Sequence, residues 1–571
     1  MPTSRILRSG LEELEFLVKD NVRLRRYNNI LQTLEDVQYN HEFMNWKECG
    51  FLCVNRSRLS GTDDKRKQLS GETDYRIAAE SDFGRVIFSS ACRRLHDKTQ
   101  VFPLTTNDNI HSRLTHSLEV MNMGLSFCID LSENIDFLKG TGLEPNDVLR
   151  TISAILKTSC IVHDIGNPPF GHFGEAVIQD YFTKLFDDLH DRNHYIWQGI
   201  EKMDYLTKTE RKGWDKETCD NARNGRMNYI KSNLELFLGV DNEDWRRDYT
   251  EFDGNAEGLR ILSRLQNAGD LYGLNLTYGT LAASIKYPNT GRGDKNDGNI
   301  GKHKHGVMFT EKNLLHAIVK ECNIHNNGDV FRHPLAFLME AADSICYLTM
   351  DIDDAVGKKW VKFEDVMNLI ENCDDPDKSK ILSLYDAIIL GNYNPRKSWI
   401  CLRTAMLGYL MEVATKNFVS HLQEIEVGSY NNELIEDGCM LTKKLQDFSR
   451  KNILSHRDIN LLETTGKSVI SGLIDQYIRL MFHPDRNFRD KAKVLLSRSI
   501  LVTVIMEHIR DHETEYNYKY KMASCEDVFD RFDIGDLTAE ERFRIIRDYI
   551  AGMTDKFALN HYQELSGQKL S

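Results

Sequence analysis

Apolar residues recur every three or four positions along most of this 571-residue chain, and this spacing constrains the fold more than any other feature. The segments 11–18 and 543–550 show the pattern, with apolar side chains on one helix face and charged side chains on the other. Only ten prolines interrupt the chain, so long helices are sterically permitted. The sequence therefore predicts an all-α protein, with at most a short β ribbon.

Three stretches depart from this periodicity. Segments 55–76 and 288–305 are rich in small and polar residues, which predicts mobile surface loops that are either lids or disordered. Segment 191–253 is charged and contains three tryptophans without a sustained amphipathic period, which predicts an insertion into a core. Because no internal repeat divides the chain, we expect one elaborated helical body.

The charge balance narrows the partners of the protein. With 73 Lys and Arg residues against 86 Asp and Glu residues, the formal net charge is −13, so nucleic acid could contact only a local basic patch. No apolar run approaches the roughly 18 residues of a membrane span, and the first residues lack the apolar core of a secretory signal. These features predict a cytoplasmic protein with no membrane partner.

Twelve cysteines without a CxxC pair predict reduced, mostly buried thiols.

The most informative segment is 161–175, where an apolar helix end leads into His163 and Asp164 and then into a Gly/Pro loop. Burying an imidazole beside a carboxylate costs free energy unless a cation neutralises the charge, so this pair is a candidate metal ligand pair. The alternative is a capping aspartate beside a surface histidine. The loop glycines allow the backbone to bring His172 and Glu175 close to a ligand; the alternative for His172 is an ordinary loop histidine.

A second informative segment is the helix predicted over 333–356. Its apolar residues surround the helix axis, which is typical of a helix buried nearly all round. Asp343, Tyr347 and Asp351 are set into it four residues apart, so they form a polar ladder on one face. Buried aspartates need partners, which are either basic side chains on a neighbouring helix or a bound cation and ligand. His116, at the start of another amphipathic helix, is a further candidate.

These residues carry a family resemblance. The order His116, His163-Asp164, Asp343 resembles the H…HD…D pattern of HD-domain metal-dependent phosphohydrolases. The strings that resemble bacterial deoxyguanosine triphosphate triphosphohydrolases, the dGTPase family, are Arg93–Leu104, Arg113–Val120, His163–Glu175, Phe252–Gly258, His333–Asp343 and Gly552–Ala558. The resemblance implies an HD-domain helical core at about 80–360 with helical and loop insertions, followed by a helical region at 361–571.

The resemblance also implies a reaction. It is the hydrolysis of dGTP, or of dNTPs more broadly, at the α-phosphorus, which yields a deoxynucleoside and inorganic triphosphate and controls the dNTP pool. The implied metal ligands are His116, His163, Asp164 and Asp343. Two imidazoles and two carboxylates suit Mn or Mg first, and also Co, Ni or Fe. His172, oriented by Glu175, becomes the group that protonates the departing 5′ oxygen or activates the water.

Substrate contacts follow from the same resemblance. Gln100 and Asp351 are implied to hold the 3′-hydroxyl, while Tyr347 packs on the sugar where a 2′-hydroxyl would clash. The residues implied to hold the triphosphate are Arg113, Asn167, Asn255, Lys286 and Tyr287. Charge-assisted and directed hydrogen bonds would link them to phosphate oxygens. The alternative for Lys286 is a solvated lysine at a loop edge.

Two other functions stay open at this stage: hydrolysis of a different nucleotide by the same fold, and nucleotide or single-stranded DNA binding without turnover. The chain has neither a GxxxxGK[ST] loop nor an HHExxxxGxGYP-like extension, which argues against a Walker-type NTPase and a cyclic dinucleotide phosphodiesterase. The resemblance further implies a homo-oligomer, hexameric or tetrameric. It also implies single-stranded DNA as an effector, bound in a basic groove that includes Arg and Lys of the insertion.

Overall fold

The computed structural model describes residues 44–57 and 77–569, apart from 106, 108, 207, 268–271, 374–376, 390–394 and 512–524. The prediction of an all-α protein is confirmed. In the described residues, strand structure is limited to one antiparallel ribbon of β1 (His325–Asn326) and β2 (Asp329–Val330). Its turn residues, Asn327 and Gly328, have φ of 48° and 85°, as a tight two-residue hairpin requires.

The helices divide into four groups along the chain. Those before the insertion are α1 (Ala78–Ile87), α2 (Ser90–Arg94), α3 (Arg113–Glu133), α4 (Ile135–Thr141), α5 (Pro145–Asp147), α6 (Ser153–Val162) and α7 (Gly171–Asp188). Those of the insertion are α8 (Tyr195–Lys202), α9 (Lys208–Gly213), α10 (Lys216–Leu238) and α11 (Glu243–Thr250). Those that complete the core are α12 (Gly254–Arg260), α13 (Tyr278–Ser284), α14 (Lys312–Cys322) and α15 (Pro334–Gly357).

The C-terminal group is the longest. Its helices are α16 (Phe363–Glu371), α17 (Asp377–Ile388), α18 (Pro395–Ser420), α19 (Leu422–Glu426), α20 (Met440–Ser449), α21 (Arg457–Met481), α22 (Arg486–Leu495), α23 (Arg498–Asp511), α24 (Cys525–Arg531), α25 (Ala539–Ala551) and α26 (Asp555–Leu565). Short 3-10 or π-helical turns lie at Leu95–Asp97, Val148–Ile152, Val240–Asn242, Ile261–Leu265, Ile300–Lys302, Phe309–Glu311, Arg450–Leu454 and Ile534–Asp536.

The core is built around α6, which packs against α3, α13 and α15. Eight of the ten residues of α6 are buried, because almost every residue from Ala154 to Val162 is apolar or small. At Gly124 of α3, an added Cβ would lie 2.8 Å from Sγ of Cys160, so the missing side chain lets α3 approach α6 closely. This packing places the end of α6, and therefore His163, among three other helices.

The helix α15 matches the one predicted over 333–356 and is buried nearly all round, as its sequence indicates. Between residues 331 and 355, every residue is buried except Asp343, Tyr347 and Asp351. The three ladder residues therefore face an opening while the remainder of the helix lies in the core.

The segment 191–253, which the sequence predicts to be an insertion, is more regular than its sequence indicates, since it forms four helices. The longest, α10, buries Ile230, Leu234, Phe237 and Leu238, all in its C-terminal half. The amphipathic period therefore covers only the last turns of α10, and the polar N-terminal half faces solvent, which explains why the sequence conceals the helix.

The segment 288–305, predicted to be a mobile surface loop, is irregular apart from the 3-10 turn Ile300–Lys302, and internal hydrogen bonds connect its two ends. The side-chain amide of Asn289 donates to the carbonyls of Gly291 (3.2 Å) and Lys304 (3.0 Å), and its backbone carbonyl accepts from Gly306 and Val307 (3.0 Å each). The side-chain amide of Asn289 therefore finds its hydrogen-bond acceptors within the segment. The polar residues that suggest a mobile loop form hydrogen bonds inside it. Of the other expected loop, 55–76, residues 58–76 lie outside the described residues.

The C-terminal helix α25 joins the core through buried ion pairs. Arg260 of α12 donates to Asp548 (2.8 Å) and to Glu311 (2.9 Å), and Arg547 also pairs with Asp548 (2.7 Å). The eleven cysteines whose surroundings are described form no disulfide, and eight of them are buried, as predicted. Among the described helices, none combines the length and apolar character that crossing a bilayer requires.

Candidate functional site

Three side chains from three helices converge in the core. His116 lies in the first turn of α3, whose start is fixed because Ser112 Oγ accepts from Thr115 N (3.3 Å). His163 follows the last residue of α6, and Asp343 lies in the middle of α15. We call these three residues the His–His–Asp cluster.

The ligand atoms of the cluster form a nearly equilateral triangle. His116 Nε2 lies 3.2 Å from His163 Nε2 and 3.1 Å from Asp343 Oδ1, and His163 Nε2 lies 3.3 Å from the same oxygen. Neighbouring ligands on an octahedral divalent ion are about 3 Å apart when each is about 2.1 Å from the ion. The donor set and its spacing therefore fit a divalent cation.

Surrounding groups prepare the cluster for a cation. His163 Nδ1 lies 2.7 Å from the carbonyl of Cys160, to which it donates, so its Nε2 presents a lone pair. Partial burial of Asp343 opposes its ionisation, but the Lys286 ammonium and the two imidazoles hold its pKa well below the usual range. Lys286 Nζ donates to Asp343 Oδ2 at 2.7 Å. The carboxylate is thus ionised and partly neutralised.

Asp164, the fourth residue of the predicted ligand set, borders the triangle. Its Oδ2 accepts from Arg113 Nη1 (2.6 Å) and lies 3.6 Å from His163 Nε2, while its Oδ1 accepts from the side-chain amide of Asn167 (2.5 Å). Burial opposes its ionisation, but the Arg113 guanidinium lowers its pKa. Arg113 and Asn167, both predicted phosphate contacts, therefore bind this carboxylate in the described structure.

The loop 163–170 presents the predicted catalytic pair. His172, in the first turn of α7, is 78% exposed, whereas Glu175 is buried. Nδ1 of His172 lies 2.8 Å from Oε2 of Glu175, and Oε1 of Glu175 accepts from Gly254 N at 2.8 Å. The hydrogen bond and charge of Glu175 raise the pKa of His172, and Arg113 and Lys304 lie close enough to oppose this rise.

Two residues at the end of this loop have left-handed backbones. Phe170 has φ 63° and Gly171 has φ 59°. For a residue with a side chain, this conformation costs about 1–2 kcal/mol. An added Cβ at 171 would also lie 2.7 Å from Nη2 of Arg113, so the guanidinium would have to shift. Gly254 is required, since its Cβ would meet Oδ1 of Asn167 at 2.0 Å.

The ladder leads away from the cluster along α15. Tyr347 lies one turn beyond Asp343, and Asp351 lies one turn further. Burial and the nearby Asp354 raise the pKa of Asp351 to about 8. Gln100 has a buried Oε1 with no hydrogen-bond partner among the described residues, which leaves an acceptor for a ligand hydroxyl.

Two further predicted phosphate contacts, Asn255 and Tyr287, lie near Asp253 and Lys304. Asn255, which lines a small cavity with His163, donates its side-chain amide to Asp253 Oδ1 (2.7 Å). Lys304 Nζ donates to Asp253 Oδ2 (2.9 Å) and lies 5.7 Å from the ring centroid of Tyr287. Sequence reasoning missed Lys304 because it lies in the segment read as a mobile loop. The apolar run at 307–309 indicates that the chain returns to the core there. This signal could have shown that Lys304, three residues earlier, lies near the core.

Comparison with known proteins agrees with this geometry. Residues 492–564 match the model of the phosphohydrolase-associated domain. The chain is 31% identical over 547 residues to the deoxyguanosinetriphosphate triphosphohydrolase of Yersinia pestis (strain Pestoides F), covering 89% of this chain and 99% of that protein. It is 30% identical to the proteins of the same name from Yersinia enterocolitica serotype O:8 and Salmonella paratyphi A, covering 89% of this chain and 99% and 98% of theirs. The chain is therefore a hydrolase and belongs to the deoxyguanosinetriphosphate triphosphohydrolase family.

Proposed function

We propose that this protein hydrolyses dGTP, and other dNTPs through the same sugar and phosphate contacts, at the α-phosphorus. The products are a deoxynucleoside and inorganic triphosphate, and the reaction contributes to control of the dNTP pool. The observation that carries the proposal is the His–His–Asp cluster, with three ligand atoms 3.1–3.3 Å apart, in a chain whose relatives are named for dGTP hydrolysis.

A divalent cation would be held by His116, His163 and Asp343, and the Asp164 carboxylate beside them would supply the fourth protein ligand. Mn or Mg is the first choice, and Co, Ni or Fe also suits this nitrogen and oxygen set. When bound, the ion lowers the pKa of water and offsets negative charge at the phosphorus. The Lys286 ammonium, 2.7 Å from Asp343 Oδ2, balances the charge of that carboxylate.

His172 supplies the proton. Its raised pKa, caused by Glu175, favours the imidazolium form near neutral pH, which is the form that donates a proton to the departing 5′ oxygen. The exposed ring can reach a substrate, while buried Glu175 is anchored to the Gly254 amide and keeps the ring oriented. The pair therefore acts as a general acid whose strength Glu175 sets.

Contacts with the rest of the nucleotide follow the two sides of the cluster. Arg113, Asn167, Asn255, Lys286 and Tyr287 hold the triphosphate, and Lys304 joins them. Tyr347 packs on the sugar and excludes a 2′-hydroxyl, while Gln100 and Asp351 hold the 3′-hydroxyl. The unpaired Oε1 of Gln100 and the partly exposed ladder on a buried helix support these roles.

A product assay tests the proposal. Purified protein is incubated with each of the four dNTPs and with GTP, in Mn or Mg, and triphosphate is separated from pyrophosphate and phosphate. We expect triphosphate as the first product from dGTP and much slower turnover of GTP. Phosphate or pyrophosphate as the first product would exclude cleavage of the bond between the α-phosphorus and the 5′ oxygen and favour a different nucleotide hydrolase. Binding without any turnover would favour a nucleotide-binding protein.

The family resemblance also leads us to propose a cytoplasmic homo-oligomer with single-stranded DNA as an effector. The basic residues of the insertion helices α9 and α10 are mostly exposed, as a DNA contact requires. Light scattering tests the oligomer, and fluorescence anisotropy with a labelled oligonucleotide tests DNA binding, which should weaken with added salt.

A further inference from the structure

A single carboxylate near the C-terminus contacts two distant parts of the site. Asp555, the first residue of α26, is 2% exposed. Its Oδ2 accepts from the backbone amide (3.1 Å) and the hydroxyl (2.6 Å) of Thr99, and its Oδ1 accepts from the backbone amide of Phe170 (2.9 Å). Three donors and the positive end of a helix thus hold this buried charge.

The contact with Phe170 falls on the left-handed residue of the loop 163–170, two residues before His172. Phe170 is buried, and its ring covers Gly466 of α21, where an added Cβ would lie 2.8 Å from the ring. The hydrogen bond from its amide to Asp555 therefore helps to hold this backbone in an unfavourable conformation. Without it, the loop can relax and carry His172 away from its position.

The contact with Thr99 falls beside Gln100, which the proposed function assigns to the 3′-hydroxyl. Lys98, on the other side of Thr99, is buried and donates from Nζ to the carbonyls of Asn167 and Ala551 (2.9 Å for the latter). Lys98 therefore joins the stretch 98–100 to the loop 163–170 and to the end of α25. Asp555, from α26, joins the same stretch to the same loop at a neighbouring point.

We propose that Asp555 is a positioning residue that sets His172 and Gln100 relative to each other through the Phe170 and Thr99 amides. This inference rests on the proposed function for the roles of His172 and Gln100. It gives the phosphohydrolase-associated segment 492–564 a direct part in the active site, because Asp555 belongs to that segment.

A double-mutant cycle tests the inference. We expect Asp555→Ala to lower kcat for dGTP about 10- to 100-fold in the otherwise unchanged enzyme, but less than about threefold in a His172→Ala background, because a residue that acts through His172 has little left to position. Asp555→Ala should also narrow the preference for dGTP over its 2′,3′-dideoxy analogue, because Gln100 moves with Thr99. Equal losses of kcat in both backgrounds, or no loss, would overturn the inference.

Two further variants separate positioning from folding. Asp555→Asn can still accept from Phe170 through its amide oxygen but cannot satisfy both Thr99 donors, so we expect an intermediate kcat. The matched control is Asp533→Ala in the same segment: Asp533 is also buried, accepts from Gly535 N (2.7 Å) and pairs with Arg489 (3.1 Å). It should lower Tm without changing kcat of the folded enzyme; a drop in kcat like that of Asp555→Ala would contradict a specific role.

Hydrogen exchange distinguishes failure of this inference from failure of the proposed function. Exchange of a peptide covering 165–172, measured by mass spectrometry, needs no substrate. We expect Asp555→Ala to speed this exchange by at least tenfold and Asp533→Ala to leave it unchanged. If wild-type protein releases no triphosphate but the exchange behaves as expected, the reaction is wrongly assigned and the positioning contact stands. If the exchange is unchanged in Asp555→Ala, the contact does not hold the loop.

Discussion

The two walls of the candidate site are built in opposite ways. The wall formed by α15 is one continuous helix, on which Asp343, Tyr347 and Asp351 follow one another at four-residue intervals. The wall formed by the loop 163–170 and the start of α7 depends on residues far away in sequence, such as Asp555, 385 residues beyond Phe170. A helix fixes the spacing of its side chains by its own hydrogen bonds, whereas a loop requires partners.

This difference predicts two different responses to substitution. On the α15 wall, a substitution removes one contact and leaves its neighbours in place, because burial of the remaining residues maintains the helix. On the loop wall, Phe170 and Gly171 hold left-handed conformations, so a change at one position can displace several groups together. Variants on the two walls should therefore differ in whether their effects stay local.

The largest effect is expected where the walls meet, at the His–His–Asp cluster. Asp343→Asn or His163→Ala should remove bound metal and lower kcat on the order of ten-thousandfold or more. The remaining ligands cannot hold the ion, and without the ion the negative charge at the phosphorus is not offset. Metal content by mass spectrometry and triphosphate release measure both effects. Full metal occupancy in either variant would remove that residue from the ligand set.

The same helix offers a matched control. Asp353→Asn changes a buried carboxylate of α15 that pairs with Arg396 and Arg403 (2.6 Å each) and with Trp399 (2.7 Å), away from the ladder. It should lower Tm and keep metal. Loss of metal here would mean that the α15 wall transmits changes along its length, which would break the contrast with the loop.

The second effect concerns the loop wall. His172→Ala should keep metal and folding but lower kcat about 100- to 10,000-fold, the range for a lost general acid. Because Glu175 raises the pKa of His172, kcat should fall as pH rises through that raised pKa, and Glu175→Gln should move this alkaline fall to lower pH. Rate profiles from pH 5 to 10 measure it.

A similar pair elsewhere provides the control for that experiment. His421 Nδ1 lies 3.2 Å from Glu424 Oε1 at the same three-residue spacing, in the C-terminal region. His421→Ala should leave kcat and its pH profile unchanged. If Glu175→Gln left the alkaline fall where it is, a different group would control the proton, and His172 would be an ordinary loop histidine.

The third effect tests the strained backbone directly. Gly171→Ala should reduce the free energy of unfolding by about 1–2 kcal/mol, because alanine disfavours φ of 59°. It should also lower kcat/KM about tenfold, because the new Cβ displaces the guanidinium of Arg113, which the proposed function assigns to the triphosphate. Gly567→Ala is the control, since Gly567 has φ of 71° and an added Cβ would have no atom of the described residues within 4 Å. It should lose similar stability and keep kcat/KM; equal catalytic losses would contradict a local clash.

The two walls also differ in how far the sequence predicted them. The ladder on α15 follows from helical periodicity, so the shared face of its three residues and the burial of the rest of the helix were accessible from sequence. His172 and Glu175 were found through the Gly/Pro loop and the family resemblance, but their anchor at Gly254 is a tertiary contact without a local signal. Lys304 was not predicted because it lies in a segment of polar loop composition, and Asp555 lies in the string Gly552–Ala558 that carries the resemblance but has no local signal for its contacts with Thr99 and Phe170.

The fourth effect returns to the α15 wall and to sugar selection. Tyr347→Ala should lower kcat/KM for dGTP about tenfold and narrow the ratio of dGTP to GTP, because the ring packs on the sugar where a 2′-hydroxyl would lie. Tyr347→Phe keeps the ring and should keep the ratio. Steady-state kinetics with both nucleotides measures this, and an unchanged ratio in Tyr347→Ala would withdraw the sugar-reading role from this helix.

The smallest effect is expected at Asp351, and its reason is the protonation state of that carboxyl. Since burial and Asp354 raise its pKa to about 8, the group is mostly neutral at pH 7, and asparagine resembles the neutral acid in shape and hydrogen bonding. Asp351→Asn should therefore change kcat/KM for dGTP at pH 7 by less than about threefold, whereas Asp351→Ala should lower it about tenfold by removing the partner of the 3′-hydroxyl. Against the 2′,3′-dideoxy analogue, which lacks that hydroxyl, the two variants should perform alike. If Asp351→Asn were as impaired as Asp351→Ala with dGTP, the ionised carboxylate would be the form that binds the 3′-hydroxyl. Substrate binding would then have to lower the pKa of Asp351.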